Sequence, residues 1–530
     1  MRLASLLSGR FTQQQFDDYH HHYIKGPSMK LNLSSSIKVS CTFLATALTA
    51  CGGGGSGGYT APVTPAAPAA TANFAKPASP TTIDFGQSVT LQWSSANSTG
   101  CTASASGASG GTFTGSQSMS GTATVVPTAP GTYTYTLSCT GTGGNASVTT
   151  PAVTVSPSIL TSLSTAGKIT TIGSTVALNG DQNPYGLAIA PATAGLITKG
   201  DLIVCNFNNA STPAAQGGVQ GTGTTIVGLH PAAGSKPYQI AQSATLDGCD
   251  ALTILPDDSI SAAAWSSTSN PLVSAAGVVA SPFSDAFAYP WGEAYVAATS
   301  TQPAAIYVAN APGGNIAAGG TIDRISLDTD AQTTFTEIAS GFCTSGSPGA
   351  IFGPAGLTYD PSNDTLYVVD TSSASVIAIV GISTVSKDGL VVNGQCAGAA
   401  TPTPVPTFSG PSMASARVIA HGAPFNTPLS AALLKNGDLV VANADIGIQA
   451  PSATTNLLIE VSPVVPGGFV GKPLQLDTTT PGALFGLATA VDTDGNQIIY
   501  FNDDNAASVL QLTAAASTTP PTPYSTSPTR

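Results

Sequence analysis

From Leu160 onward one unit recurs, and it constrains the fold more than any other feature of the chain. Each copy has a Gly-containing approach, a strand, a turn and then an apolar strand ending in Asn or Asp. The copies are NPYGLAIAP…GDLIVCNFNN, IYVANAPG, FGPAGLTYDPSNDTLYVVDTSS, LKNGDLVVANAD and LFGLATAVDTDGNQIIYFNDDN. Their terminal polar residues are Asn206, Asn310, Asp370, Asn443 and Asn502, with Asp503 beside the last. Successive gaps are 104, 60, 73 and 59 residues, so the first is close to twice the others. A degenerate sixth unit is therefore expected near Ala264 to Asn270. A unit of this size has sequence for a few short strands, which cannot bury their own apolar faces and must stack on neighbours. Radial closure does this while leaving only short edges. A β-helical solenoid is the rival, but it calls for shorter and more regular coils. The expected fold class is all-β, with a six-bladed β-propeller over residues 160–516.

Composition agrees with short strands and many turns. Only 8% of residues are charged, and Gly and Pro number 57 and 39. Long helices laced by i,i+4 ion pairs are hard to build from such a mix, whereas Thr, Val and turn residues suit strands. The formal net charge is −12, and the 15 basic residues are scattered. A nucleic-acid footprint needs concentrated positive charge, so no nucleic-acid partner is expected.

The N-terminus reads as an address. Residues 1–28, with His20, His21 and His22 in a row, look like an extension upstream of the true start, and Met29 reads as that start. Lys30 and Lys38 precede the short apolar run VSCTFLATALTA, which ends at Cys51. A basic region, an apolar stretch too short to span a membrane and a small-residue boundary make residues 29–50 a signal peptide. Leu48-Thr49-Ala50-Cys51 resembles a bacterial lipobox, which implies lipidation of Cys51, export, and a lipid bilayer as partner at the outer membrane. Residues 51–78 are Gly/Ser-rich and then Pro/Ala-rich, the composition of a tether.

Residues 79–157 carry their own period-2 runs, TIDFGQSVTLQW, GTYTYTLSC and ASVTTPAVTVS. The PGTYTYTLSC segment resembles the late-strand region of bacterial immunoglobulin-like modules. That resemblance implies a small β-sandwich with Trp93 in its core and Tyr133 and Tyr135 packed ahead of Cys139. Cys101 follows Trp93 where antibody-type domains have it before, so a bridge from Cys101 is expected to join a loop to a strand. The propeller units resemble NHL-type repeats, best in PAGLTYDPSNDTLYVVDTSSASVIAI, where Gly356, Asp360, Pro361, Val369 and Asp370 match. Gly186, Pro191, Val204 and Asn206 match in the first unit, and Gly486, Asp492, Asp494 and Asn502 in the last.

Cys101, Cys139, Cys205, Cys249, Cys343 and Cys396 form no CxxC pair, and only His230 and His421 lie downstream of the N-terminus. Disulfides in an oxidising compartment fit better than a thiolate zinc site. Spacing alone does not give the pairing. Sequence neighbours often share a domain or blade, which favours Cys101–Cys139, Cys205–Cys249 and Cys343–Cys396. No cofactor motif and no nucleophile elbow appears.

The recurring polar residues have two readings. They cap their own turns by hydrogen bonds to the backbone, or they ring the mouth of a central channel as binding groups. Related lactonase-like propellers hold a metal with a few such groups. Here Asp370, Asp503 and Asp504 are on offer without a clear inward Glu, so no metal is expected. DTDGN, residues 492–496, resembles a fragment of a Ca²⁺ loop but equally suits a hairpin turn. His421 could act as a base beside Asp370 or Asp438; a solvated loop histidine is the plainer reading. The main functional expectation is a membrane-anchored scaffold or binding protein whose propeller face takes a protein or glycan ligand. The alternative is an extracytoplasmic propeller enzyme of lactonase-like hydrolase or lyase type. A shifted carboxylate–histidine cluster in the central cavity would favour the enzyme, and an open aromatic face would favour the binder. The segment 167–180 is expected to complete the sheet begun near Gly482, and the tail 517–530 to be disordered, with no packed contacts.

Overall fold

The computed structural model describes residues 64–514, except 216, 281–286, 301, 313–315, 328–332, 348–349, 394–403, 446–454 and 466, together with 522–523. Cys51, the signal segment and most of the tether lie outside the described residues. The described chain is mostly β, arranged in several small sheets.

Three small sheets form the N-terminal part. Val89–Ala96 pairs with Thr71–Lys76 and Ser120–Val125; Gly100–Ala105 pairs with Tyr135–Thr140; Val153–Ser156 pairs with Thr81–Asp84 and Gly131–Tyr133. Alternation in VTLQW puts Val89, Leu91 and Trp93 on the inner face, where they meet Phe74, Phe113, Tyr135 and Leu137. The Trp93 indole N–H donates to the Ser118 carbonyl at 2.9 Å and the Tyr135 hydroxyl to the Gly110 carbonyl at 2.9 Å, so both rings bury a satisfied polar tip. Two sequence expectations need correction. The first strand, Thr71–Lys76, falls inside the segment read as tether. The Cys101–Cys139 bridge joins directly opposed residues of neighbouring strands, not a loop to a strand.

The helix Ile159–Ala166 leads out of this part. The Ser158 side chain caps it by accepting from the Thr161 amide. The buried Glu460 carboxyl accepts from the Ile159 and Leu160 amides at 3.2 and 2.7 Å, filling the positive end of the helix. Leu160 and Leu163 enter a core shared with Val440, Leu458 and Phe501.

Six sheets follow. We number them by their first strands: sheet 1 Gln182–Ile189, sheet 2 Cys249–Ile254, sheet 3 Pro290–Val296, sheet 4 Pro354–Asp360, sheet 5 Pro428–Leu433 and sheet 6 Leu484–Val491. The degenerate unit is sheet 2, which starts at Cys249 and includes the expected Ala264 to Asn270. Each first strand packs on the next in chain order, and that of sheet 6 packs on that of sheet 1. Lys168–Ser174 pairs antiparallel with Ser508–Thr513, adding its strand to sheet 6 as expected from the sequence. Asn502 fastens the same junction by donating to the Tyr185 and Gly186 carbonyls of sheet 1, at 3.0 and 3.2 Å. Within the tail expected to be disordered, Thr522–Pro523 pairs with Ala490 and Val491; the rest of the tail lies outside the described residues.

Cys205–Cys249 is bridged as expected, but it links sheet 1 to sheet 2 and so joins two sheets, not strands of one. Cys343 is disulfide-bonded, and Cys396 lies outside the described residues. Such bonds mark an oxidising, extracytoplasmic setting. No helix among the described residues is long and apolar enough to cross a membrane.

Candidate functional site

All six first strands carry an irregularity in register near their start. Aligned there, the sequences are Pro184-Tyr-Gly-Leu187, Cys249-Asp-Ala-Leu252, Pro290-Trp-Gly-Glu293, Pro354-Ala-Gly-Leu357, Pro428-Leu-Ser-Ala431 and Leu484-Phe-Gly-Leu487. The third position is small because the strands meet there. A side chain at Gly292 would overlap the Ala355 carbonyl, one at Gly356 the backbone of Ser430, and one at Gly486 the Tyr185 carbonyl. This is the close backbone approach that only Gly or a very small residue allows.

The fourth positions, and the second positions other than Ala355, line an inner cavity of about 100 Å³, which adjoins an outer cavity of about 300 Å³. At the second position stand Tyr185, Trp291, Ala355, Leu429 and Phe485, which form one apolar cluster with Phe207 and Trp265. Tyr185 is stacked between Phe207 and Phe485, with centroids 4.3 and 3.8 Å away. The sixth member is Asp250. At the fourth position, four leucines and Ala431 are joined by Glu293, which lines both cavities.

Thus two neighbouring strands each replace an apolar member of a repeated set by a carboxylic acid. Asp250 is 3% exposed. Burial alone holds it well above the ordinary carboxylate range. Neither Glu293 oxygen has a partner in good hydrogen-bond geometry. Burial pushes this carboxyl up to about 8, against the opposing influence of Ser261, Asn270 and the Thr253 backbone. Burying such groups without compensation is costly, and in a folded protein that cost is commonly tolerated where the group has chemistry to perform. Nearby, Asp504 is raised to about 7, first by burial and then by Asp503. Asp250 and Glu293 are not among the residues singled out from sequence, and Glu293 supplies the inward Glu that was not clear there. Setting the six tetrapeptides side by side is the signal that would have found them.

The residues singled out from sequence lie elsewhere. Asn206, Asn310, Asp370 and Asn443 stand in register opposite Pro184, Pro290, Pro354 and Pro428. In sheet 6 the residue opposite Leu484 is Asp503. The Asn206 amide donates to the Thr175 carbonyl (2.9 Å) and Asn310 to the Asp323 carboxylate (2.6 Å). Asp370 accepts from the Ser372 amide (3.1 Å) and the Ser373 hydroxyl (2.5 Å). Asn443 accepts from the Asn426 amide (2.6 Å), and Asp503 from the Ala506 amide (3.1 Å). None of the six, Asn502 included, lines either cavity. Asp492 accepts from the amides of Asp494 and Asn496 in the hairpin turn of sheet 6. His421 lies across from Ser375, which itself lies across from Asp370, but the Asp370 carboxylate is taken up by Ser372 and Ser373. The exposed His230 contacts Asp201 at 2.6 Å. Among the described residues no three Asp, Glu, His or Cys side chains converge as a metal site.

No family model matches this chain, and no curated protein matches it. Solved structures are similar to it at a low level. Virginiamycin B lyase from Staphylococcus aureus is 12% identical with a TM-score of 0.38, over 66% of this chain and 99% of that one. Regucalcin, a calcium-binding protein from Agrobacterium tumefaciens, is 13% identical with a TM-score of 0.37, over 65% and 95%. A Bacteroides thetaiotaomicron protein of unknown function is 11% identical with a TM-score of 0.39, over 82% and 95%. These likenesses concern the β-rich, multi-sheet architecture and assign no activity.

Proposed function

We propose that the six sheets close as a six-bladed propeller behind an immunoglobulin-like sandwich, and that the protein acts through its axial cavity on a small extracytoplasmic molecule. This takes up the enzymatic alternative in preference to a scaffold that works by its outer face. The observation that carries it is the pair Asp250 and Glu293, acids set into two repeated positions that are otherwise apolar or aromatic. A carboxyl with a pKa of about 8 is largely protonated at neutral pH, and can donate a proton or hydrogen bond inside the cavity. A hydrolase or lyase reaction with Glu293 as acid–base group and Asp250 as its companion follows from this placement. The exposed large apolar side chains, such as Leu178, Val278 and Met413, are dispersed along the chain and give less support to a docking face. The two resolved disulfides and the lipobox-like LTAC support an outer-membrane lipoprotein anchored to the bilayer by Cys51.

The test is turnover of a panel of lactones, esters and uronic-acid polysaccharides by the wild type and by Glu293→Gln. Loss of general acid–base catalysis costs about 10²–10⁴-fold, with the far-UV spectrum and melting curve still those of a folded protein. Equal rates for the two proteins on a substrate that is turned over would refute the assignment.

A further inference from the structure

The geometry points to a small organic ammonium ion as the ligand of the axial cavity. This inference rests on the reading that the cavity is the working site, and it adds the ligand's class. The inner cavity is walled by Tyr185, Trp291 and Phe485 and receives Asp250 and Glu293; both faces of Tyr185 are covered by Phe207 and Phe485, which leaves Trp291 and one face of Phe485 as the aromatic surface on offer, and among the described residues no Lys, Arg or His lines this cavity or the outer one. Aromatic walls attract a cation through the ring quadrupole, most strongly at Trp, and the attraction grows when water is excluded. The two carboxyls can supply the counter-charge, and Glu293 has no hydrogen-bond partner of good geometry to give up. An anionic ligand would meet two acids and no cation. A neutral apolar ligand would leave both acids buried and unpaired, the situation that folding already finds costly. An alkylammonium head has apolar methyl groups for the aromatic wall and a positive charge for the acids. The net charge of −12 also favours approach of a cation over an anion.

The inner volume of about 100 Å³ limits the head to a few carbon atoms around nitrogen, and the adjoining space of about 300 Å³ leaves room for a longer substituent. Binding the cation would favour release of a proton from an acid to bulk solvent. That would leave a carboxylate beside the ligand, able to serve as the base in the proposed reaction.

The experiment is titration calorimetry of the full chain with choline and with 3,3-dimethyl-1-butanol, its uncharged isostere. Choline is expected to bind at least tenfold more tightly than the alcohol. Asp250→Asn and Trp291→Leu are each expected to weaken choline about fivefold or more, and by a larger factor than they weaken the alcohol. Comparison of the two probes on the wild type needs no variant to fold. Equal affinity for the two probes overturns the ammonium assignment and leaves the cavity reading in place. So does failure of choline to bind while Glu293→Gln still abolishes turnover of a neutral substrate. If the alcohol alone binds, the ammonium assignment is likewise overturned.

Discussion

Replacing Glu293 by leucine, the residue that four of the other five sheets use at this position, is expected to stabilise the protein at alkaline pH. The carboxyl has a folded-state pKa of about 8 and a reference value of 4.5. Its folded value is raised, so its contribution is fully present below the reference pKa and is lost as pH rises through the folded value. Between those limits the unfolded chain has released its proton and the folded chain has not, which costs about 1.4 kcal/mol per pH unit. From pH 5 to pH 8 this single group should cost the wild type about 3 kcal/mol, and Glu293→Leu removes that slope. Equilibrium urea unfolding at the two pH values, for both proteins, gives the double difference directly. The variant should also lose activity, a stability–function trade-off of the kind expected at a strained site. A wild type and variant with parallel pH profiles would refute the claim that Glu293 is buried and protonated, and with it the account of the site.

Other consequences are open to measurement. Several further buried acids are raised by burial, Asp370 and Asp445 to about 6 and Asp504 to about 7, so the intact protein should melt at a higher temperature near pH 5 than near pH 8. Converting both Cys205 and Cys249 to alanine should cost about 2–4 kcal/mol, because their bridge ties sheet 1 to sheet 2, and mass spectrometry of the native protein should find neither thiol free. Gly292→Val should destabilise by about 1–3 kcal/mol or more in thermal unfolding, since its side chain would enter the backbone of the next sheet. Deleting residues 160–180 should lower the melting temperature far more than deleting 517–530. The first removes Leu160, Leu163 and Ile172 from the core and a whole strand from sheet 6, whereas the described part of the second offers one two-residue pairing. Acyl labelling should be lost in Cys51→Ala, with release from the membrane fraction.

The repeat was legible because its punctuation is local. Gly186, Gly356 and Gly486 are needed where first strands touch, and proline precedes four of the six contacts by two residues. Sheet 2 was legible only from the doubled gap, because it starts with Cys249 where four others have Pro, and ends its second strand in Ala264 where others have Asn or Asp. The pairing of 168–174 with 508–513 was legible for another reason: a strand-like segment preceded the first unit, and the last unit was one strand short. The Cys101–Cys139 geometry was not, because strand adjacency in a sandwich depends on non-local pairing that spacing does not encode.

The site was hidden for the reason that makes it recognisable in the fold. A repeated sequence draws the eye to what recurs, and the recurring Asn and Asp stand mostly opposite a proline, which has no N–H to give to the ladder. Their buried side chains make hydrogen bonds within the protein, and recurrence itself argues for that structural duty. Function on a pseudo-symmetric frame needs the opposite: a residue that departs from its equivalents. Asp250 and Glu293 depart in the most costly direction available, from aromatic and aliphatic to acid, in adjacent sheets and on one cavity. Neither is compensated by a basic neighbour in that cavity. The frame does not require them, since leucine and aromatic residues occupy the equivalent positions and pack well. An acid that the architecture could replace and whose burial destabilises it is best explained by the ligand it meets.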